Sequence, residues 1–162
     1  MKTIILDAYN VIHELPELSA KLRHGLRDAR KALLNLMVDW KRENGFKWKV
    51  CIVYDGQDGV FNPEKTGLCG VDCVFTGSRE EADDRIISIV RRASKTTEIV
   101  VVSADGRVVN GCRVHGARVE SPSFLKKKPK KKNGKTVSAA GKKISGKDEH
   151  EINKYYKEAL GL

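Results

Sequence analysis

The chain has 162 residues, of which 40% are hydrophobic and 32% are charged, so it is long enough for one domain with a buried core. Its apolar runs are far shorter than the roughly 20 residues that span a bilayer, and Asp7 interrupts the first of them. We therefore expect a cytoplasmic protein without a membrane anchor or signal peptide. The net charge of +10 indicates a polyanionic partner.

The first part of the chain predicts an alternation of strands and helices. Lys2–Leu6 is an apolar, β-branched run and predicts a buried strand that stops at Asp7. Apolar residues recur at helical spacing from Leu18 to Asn44, which predicts one long helix. Trp48–Tyr54 predicts a second strand, which is followed directly by Asp55.

The same alternation continues towards residue 125. Val71–Phe75 predicts a strand, Arg79–Ser94 a helix, Glu98–Val102 a strand, Arg107–Gly111 one helical turn and Arg113–Val114 a last short strand. This order is typical of an α/β fold with three layers, in which helices flank a central and mostly parallel sheet.

The last part of the chain differs in composition. Residues 1–125 carry 19 Lys and Arg against 17 Asp and Glu, whereas 126–147 carry ten lysines and no acid. We predict one domain over 1–125, a flexible lysine-rich arm over 126–147 and a C-terminal helix over 148–162. The arm could neutralise RNA phosphates, although lysine tracts of this kind are most often only solvated tails.

Three carboxylates stand where predicted strands end, namely Asp7, Asp55 and Asp105. The carboxyl ends of parallel strands share one edge of a sheet, which is where open α/β folds bind ligands. Like charges gathered there repel one another unless cations lie between them. Hard divalent cations such as Mg²⁺ prefer oxygen ligands of this type. Each aspartate alone could instead be a turn former.

The second predicted helix adds four acids near its start. At about 100° per residue, Glu80 and Asp83 flank the apolar stripe, whereas Glu81 and Asp84 point towards solvent. Glu80 and Asp83 are therefore the pair that can face a cleft at the sheet edge. The competing interpretation is that acids in a first helical turn only interact favourably with the helix dipole.

Several ordered motifs resemble those of the YacP-like proteins, a ribonuclease family of the NYN group within the PIN-like nucleases. The family's strand followed by Asp-Gly-Tyr-Asn corresponds to Ile4–Ile12, with Ala8 in place of the glycine. Its Phe-Thr and Glu-x-Ala-Asp motif corresponds to Phe75–Ile86. Its Ser-Asp motif corresponds to Ser103–Asp105, with Ala104 inserted, and residues 116–125 resemble its late segment.

The resemblance implies a PIN-like fold over 1–125 and metal-dependent endoribonuclease activity with one or two Mg²⁺ or Mn²⁺ ions. It implies that messenger RNA on the ribosome could be the substrate. The implied catalytic and metal-binding residues are Asp7, Glu80, Asp83 and Asp105. The implied or predicted substrate-binding residues are Asn10, Asp55, Lys126, Lys127, Lys128, Lys130, Lys131 and Lys132.

Two other functions remain as alternatives. The first is a non-catalytic RNA-binding or ribosome-binding module that uses the lysine-rich arm. The second is a haloacid-dehalogenase-like phosphatase, which also has an acid after its first strand. That class needs a second aspartate two residues after Asp7, and Tyr9 at this position argues against it.

Overall fold

A computed structural model describes residues 1–45, 47–56, 66–68 and 70–126, with the backbone alone for 66–68. Lys126 is the last described residue of the predicted lysine-rich arm. The rest of the arm and the predicted C-terminal helix over 148–162 lie outside the described residues. So do five of the predicted substrate-binding lysines, Lys127, Lys128, Lys130, Lys131 and Lys132.

The described residues form six strands and five α-helices, with short 3-10 turns between some of them. The strands are β1 (Lys2–Asp7), β2 (Trp48–Tyr54), β3 (Thr66–Leu68), β4 (Val71–Phe75), β5 (Ile99–Val102) and β6 (Arg118–Glu120). The helices are α1 (Ala8–Glu14), α2 (Pro16–Ser19), α3 (Leu26–Glu43), α4 (Ala82–Arg92) and α5 (Gly106–Val114).

The strands form one sheet in the order β3-β4-β2-β1-β5-β6, in which β3 alone runs antiparallel to its neighbour. Successive side chains of β1 point to opposite faces of the sheet. Ile4 and Leu6 pack into the layer of α1 to α3, and Ile5 packs into the layer of α4 and α5. The prediction of a three-layer α/β fold with a mostly parallel sheet is confirmed.

The order of the strands creates a crevice at the carboxyl edge between β1 and β5. From β1 the chain moves to β2 and β4 on one side, and it then returns to β5 and β6 on the other side. The helix that follows β1 packs on one face of the sheet and the helix that follows β5 packs on the opposite face. Open α/β sheets bind ligands at such a switch point. Asp7 ends β1 there, and Asp105 follows β5.

Two predicted elements differ from the structure in kind or continuity, one observed strand was not predicted, and the turn predicted at Arg107–Gly111 is part of the longer helix α5. The helix predicted over Leu18–Asn44 is divided, because Gly25 adopts a φ of 115° and α3 begins only after it. The strand predicted at Arg113–Val114 is wrong, since these residues end α5 and the last strand is β6. The antiparallel β3 was not predicted at all.

A close approach between the ends of β2 and β4 predicts that Gly56→Ala is destabilising. A Cβ at Gly56 would lie 1.8 Å from the carbonyl oxygen of Thr76, and the Gly56 amide donates to Thr76 Oγ1 at 3.0 Å. We expect the variant to lose about 2 kcal/mol of unfolding free energy in urea, which is typical of overpacking. The matched control is Gly106→Ala, where nothing lies within 4 Å of the new Cβ. Equal stability of the two variants would contradict the prediction.

Candidate active site

Asp7 is a buried carboxylate at the switch point. Asp7 is 6% exposed and lies between the end of β1 and the start of α1. Ser103, which follows β5, donates from Oγ to Asp7 Oδ2 at 3.1 Å. The backbone amide of Asn10 donates to the same carboxylate. These two donors fix the carboxylate between the first strand and the returning strand.

Asp105 lies beside Asp7 and caps α5. Its Oδ1 accepts from the backbone amides of Arg107 at 2.9 Å and Val108 at 3.2 Å. Its own amide donates to Ser103 Oγ at 3.1 Å, so that this hydroxyl contacts both Asp7 and the backbone of Asp105. Ser103 is therefore a positioning residue to which sequence reasoning gave no role, although it lies in the motif that ends at Asp105.

The two departures from the family motif are accommodated within this network. The amide of the inserted Ala104 donates to Asn10 Oδ1 at 2.7 Å. Asn10, a predicted substrate-binding residue, thereby ties α1 to the segment that carries Asp105. Ala8 begins α1 and is fully buried, so the position accepts a methyl group in helical backbone.

The charges of Asp7, Asp83 and Asp105 interact. Burial and then the charge of Asp83 raise the pKa of Asp7 to about 6, and Asp105 adds a smaller rise, although the bonds from Ser103 and Asn10 oppose these effects. Burial and the charge of Asp105 also raise the pKa of Asp83. The structure thus brings together three of the four predicted catalytic carboxylates, from β1, α4 and the start of α5.

Glu80, the fourth predicted catalytic carboxylate, does not lie in the helix where the sequence predicted it. The helix α4 begins at Ala82 rather than at Arg79, and Glu81 has extended backbone as its N-cap. The helical wheel therefore does not apply to Glu80, whose carboxylate lies 3.7 Å from Arg85. Its side chain is 36% exposed.

Arg107 carries the positive charge nearest to the acids of α4. Its guanidinium lies 2.6 Å from Glu81, forms a shorter ion pair with Asp84 and is 3.9 Å from Asp83. Glu81 and Asp84 are exposed, as predicted, but they are paired rather than only solvated. Arg107 joins α4 to α5, and sequence reasoning missed it because its partners lie more than 20 positions away along the chain.

The remaining predicted substrate-binding residues in the described part of the chain are Asp55 and Lys126. Asp55 is half-buried directly after β2, at the same edge of the sheet. Lys126 Nζ lies 2.6 Å from Glu17 Oε2 on α2, and both side chains are about half exposed. An exposed pair of this kind contributes little to stability, so the lysine can exchange its partner.

A buried cation lies on the other face of the same edge. Arg30 of α3 is 3% exposed, and its Nε donates to the hydroxyl of Tyr9 at 3.2 Å. The guanidinium carbon lies 5.7 Å from the ring centres of both Tyr9 and Tyr54. Since Tyr9 follows Asp7 by two residues, these contacts hold the start of α1 in place.

The donor chemistry of the site suits a hard divalent cation, but the described carboxylates are not arranged around one point. Carboxylate oxygens are the donors that Mg²⁺ and Mn²⁺ prefer. Within the described parts of the chain, however, no group of three or more His, Cys, Asp or Glu side chains is arranged to hold a metal ion. Binding of a metal ion at these residues would therefore require side-chain rotation or coordination through water, which Mg²⁺ commonly retains.

Arg107→Gln tests the electrostatic influence of this residue. Because Arg107 lowers the pKa of Asp83, we expect the variant to raise that pKa further. The ion pairs are half exposed, so the unfolding free energy should change little. Carbon-detected NMR titration of Asp83 measures the first effect and urea unfolding the second. Arg91→Gln, on the exposed side of α4, is the control, and equal pKa values in the two variants would refute the assignment.

The fold and its edge define the class of the protein: a three-layer α/β domain with an acidic crevice at the switch point of its sheet. Residues 4–160 match the family model of the YacP-like NYN domain. The chain belongs to this family. Membership is consistent with a nuclease and suggests RNA binding.

Similar proteins come from Bacillus subtilis. The chain is 26% identical over 106 residues to a protein described as uncharacterized protein YacP, and the alignment covers 65% of this chain and 61% of that protein. A crystal structure of Rae1 (YacP) carrying W164L matches with a TM-score of 0.63 and 25% identity over 77% of this chain and 72% of that one. A second Rae1 (YacP) structure, at 20% identity over 99% and 81% of the two chains, matches the fold with a TM-score of 0.61.

In the part of the chain that the structure describes, no helix has the length and apolar character needed to cross a membrane.

Proposed function

We propose that the protein is an endoribonuclease that hydrolyses RNA phosphodiester bonds with one or two Mg²⁺ or Mn²⁺ ions. The observation that carries this proposal is that Asp7, Asp83 and Asp105 lie close enough at the switch point for their charges to interact, with a pKa of about 6 for Asp7. The three residues come from separate elements, and repulsion from neighbouring carboxylates raises the pKa of Asp7 and of Asp83. Natural sequences retain such repulsion mainly at functional sites.

In this proposal some residues bind the cation and others hold those residues in place. Asp7, Asp83 and Asp105 would hold the cation, and Glu80 is the fourth proposed ligand because its exposed pair with Arg85 is weak. Ser103 and Asn10 keep the Asp7 carboxylate oriented through the bonds described above. A bound divalent cation would polarise a phosphate oxygen and lower the pKa of water, which is the chemistry that phosphodiester hydrolysis needs.

A non-catalytic RNA-binding module is the second candidate, and two observations favour it. Arg107 already supplies positive charge to the acids of α4, and the described carboxylates are not arranged around one metal position. In this alternative the acids would serve only to join α4 to α5. The alternative predicts RNA binding without cleavage in the presence of any divalent cation.

Cleavage of a labelled single-stranded RNA separates the two candidates. We expect cleavage in Mg²⁺ or Mn²⁺ and none in EDTA, and we expect Asp83→Asn to remove it while the protein stays folded. Asp28→Asn, an exposed carboxylate on α3, is the matched control and should cleave normally. Cleavage that survives EDTA, or that Asp83→Asn leaves intact, would refute the proposed site. Tight RNA binding without cleavage would favour the non-catalytic module.

For the substrate we propose messenger RNA on the ribosome, which is supported by the family resemblance alone. The comparison that tests it is cleavage of one messenger RNA alone and in a stalled ribosomal complex. We expect faster cleavage in the complex. Equal rates would contradict the ribosomal substrate and leave only the proposal that the enzyme cleaves RNA.

A further inference from the structure

A second concave surface lies on the α4 side of the sheet, below the acidic edge. Its apolar floor includes Ile5, Cys51 and Val74, from the three central strands β1, β2 and β4, and the cavity has a volume of about 610 Å³. This is the size of a site for a small molecule or for one to two nucleotides. We refer to this surface as the α4 groove.

The walls of the α4 groove are basic. Lys49, Arg85 and Arg92 line it, and Asp72 is the one carboxylate among the described lining residues. Arg85 faces Glu80 at 3.7 Å, whereas Lys49 and Arg92 are exposed and form no ion pair with any described residue. Two cations that form no ion pair with a described residue, above an apolar floor, favour an anionic ligand that also has an apolar face.

The α4 groove lies on the opposite flank of α4 from Asp83, because Arg85 and Arg92 are about 200° and 180° around the helix from it. Asp83 lies in the first turn of α4 and Arg85 follows it by two residues, so one helix carries both surfaces. From Arg85 to Arg92 the helix rises about 10 Å, at 1.5 Å per residue. The two arginines therefore span about 10 Å of the groove.

We propose that the α4 groove binds single-stranded RNA. Lys49 and Arg92 contact phosphates. A base lies against two partly exposed apolar residues, Ile89 of α4 and Ala93 at its end. The cavity is too small for a duplex, whereas an apolar peptide would leave both cations without partners. This inference rests on the RNA substrate proposed above, but it concerns binding rather than cleavage.

Two double variants with the same loss of charge test the inference. Lys49→Gln/Arg92→Gln removes the groove cations, and Lys47→Gln/Arg91→Gln removes exposed neighbours that do not line the groove. Binding of a fluorescent single-stranded oligonucleotide to the full chain is measured by anisotropy in EDTA, so that the RNA stays intact. Lack of metal-dependent cleavage would therefore overturn only the proposed activity, and not the groove.

The groove variant should bind RNA about tenfold more weakly at low salt, and the control variant should bind like the parent. The slope of log affinity against log salt should fall by about 1.4 in the groove variant, as expected for two lost phosphate contacts on a single strand. An equal loss in both variants would mean a general charge effect and would overturn the inference, as would unchanged binding in the groove variant.

A photocrosslinker provides a second measurement that does not depend on charge. Incorporated as a photoreactive amino acid in place of Ser88, which lines the groove, it should form a crosslink to bound RNA. Incorporated in the same way in place of Ser94, which is exposed and outside the lining, it should crosslink far less. Equal yields at both positions would place the RNA elsewhere and refute the proposal.

Discussion

Asp7→Asn is expected to raise the unfolding free energy at pH 8 by up to about 3 kcal/mol while it removes RNA cleavage. A pKa raised from 3.8 to about 6 means that the folded protein resists ionisation of this carboxyl group. A difference of this size between the folded and unfolded states corresponds to about 3 kcal/mol once the group is fully ionised. The asparagine carries no charge and still offers an oxygen to Ser103.

The sign of the pH dependence follows from the direction of the pKa shift. Well below pH 3.8 Asp7 is protonated in both states and does not oppose folding. Between about pH 4 and pH 6 the unfolded chain releases the proton first, so the parent loses stability as the pH rises. Above pH 6 the destabilisation is constant, and the gain from Asp7→Asn should be greatest there.

Urea unfolding in EDTA at pH 4 and pH 8 measures this effect. We expect the two proteins to differ little at pH 4 and clearly at pH 8. Asp28→Asn, which is exposed on α3, should show no such change and controls for the loss of one negative charge. A variant that is less stable than the parent at pH 8 would show that the bonds to the Asp7 carboxylate outweigh its burial and repulsion.

The central strands could be predicted because their sequences carry a single strong signal. Strands that are buried on both faces are continuous apolar, β-branched runs, and these runs stop where an acid must reach the edge. Trp48–Tyr54 and Val71–Phe75 have the predicted bounds, and β1 extends the predicted strand by one residue to include Asp7. The acidic edge was predictable for the same reason.

Contacts that depend on the path of the chain could not be predicted. The three-residue β3 has no periodic pattern of its own, and its pairing with β4 defines it. The start of α4 depends on the extended backbone of Glu81, which composition does not indicate, because glutamate is not a preferred N-cap residue and acids suit a first turn wherever it begins. That shift of three residues invalidated the helical placement of Glu80. The pairing of Arg107 with Glu81 and Asp84 requires α4 and α5 to be adjacent, which only the fold determines.

Asp105 has a structural and a proposed catalytic role, and two substitutions separate them. As N-cap of α5 it accepts two backbone amides through Oδ1, and in the proposed site its charge helps to hold the cation. Asparagine is an equally good N-cap and carries no charge, whereas alanine can neither cap nor bind a cation.

Asp105→Asn should therefore lose at least about a thousandfold in cleavage rate with little change in stability. Loss of several kcal/mol of transition-state stabilisation from a misplaced cation corresponds to a factor of this size. Asp105→Ala should lose as much activity and, in addition, about 1 kcal/mol of unfolding free energy from the missing cap.

We compare each variant with the parent in two measurements, single-turnover cleavage at saturating RNA and urea unfolding. These comparisons give two differences in cleavage rate and two in stability. The stability comparison is made in EDTA, so that a bound cation does not add to the parent's stability. If Asp105→Asn cleaves like the parent while Asp105→Ala does not, then Asp105 acts through the N-terminus of α5 alone. The cation would then have to be held by Asp7, Asp83 and Glu80 without it.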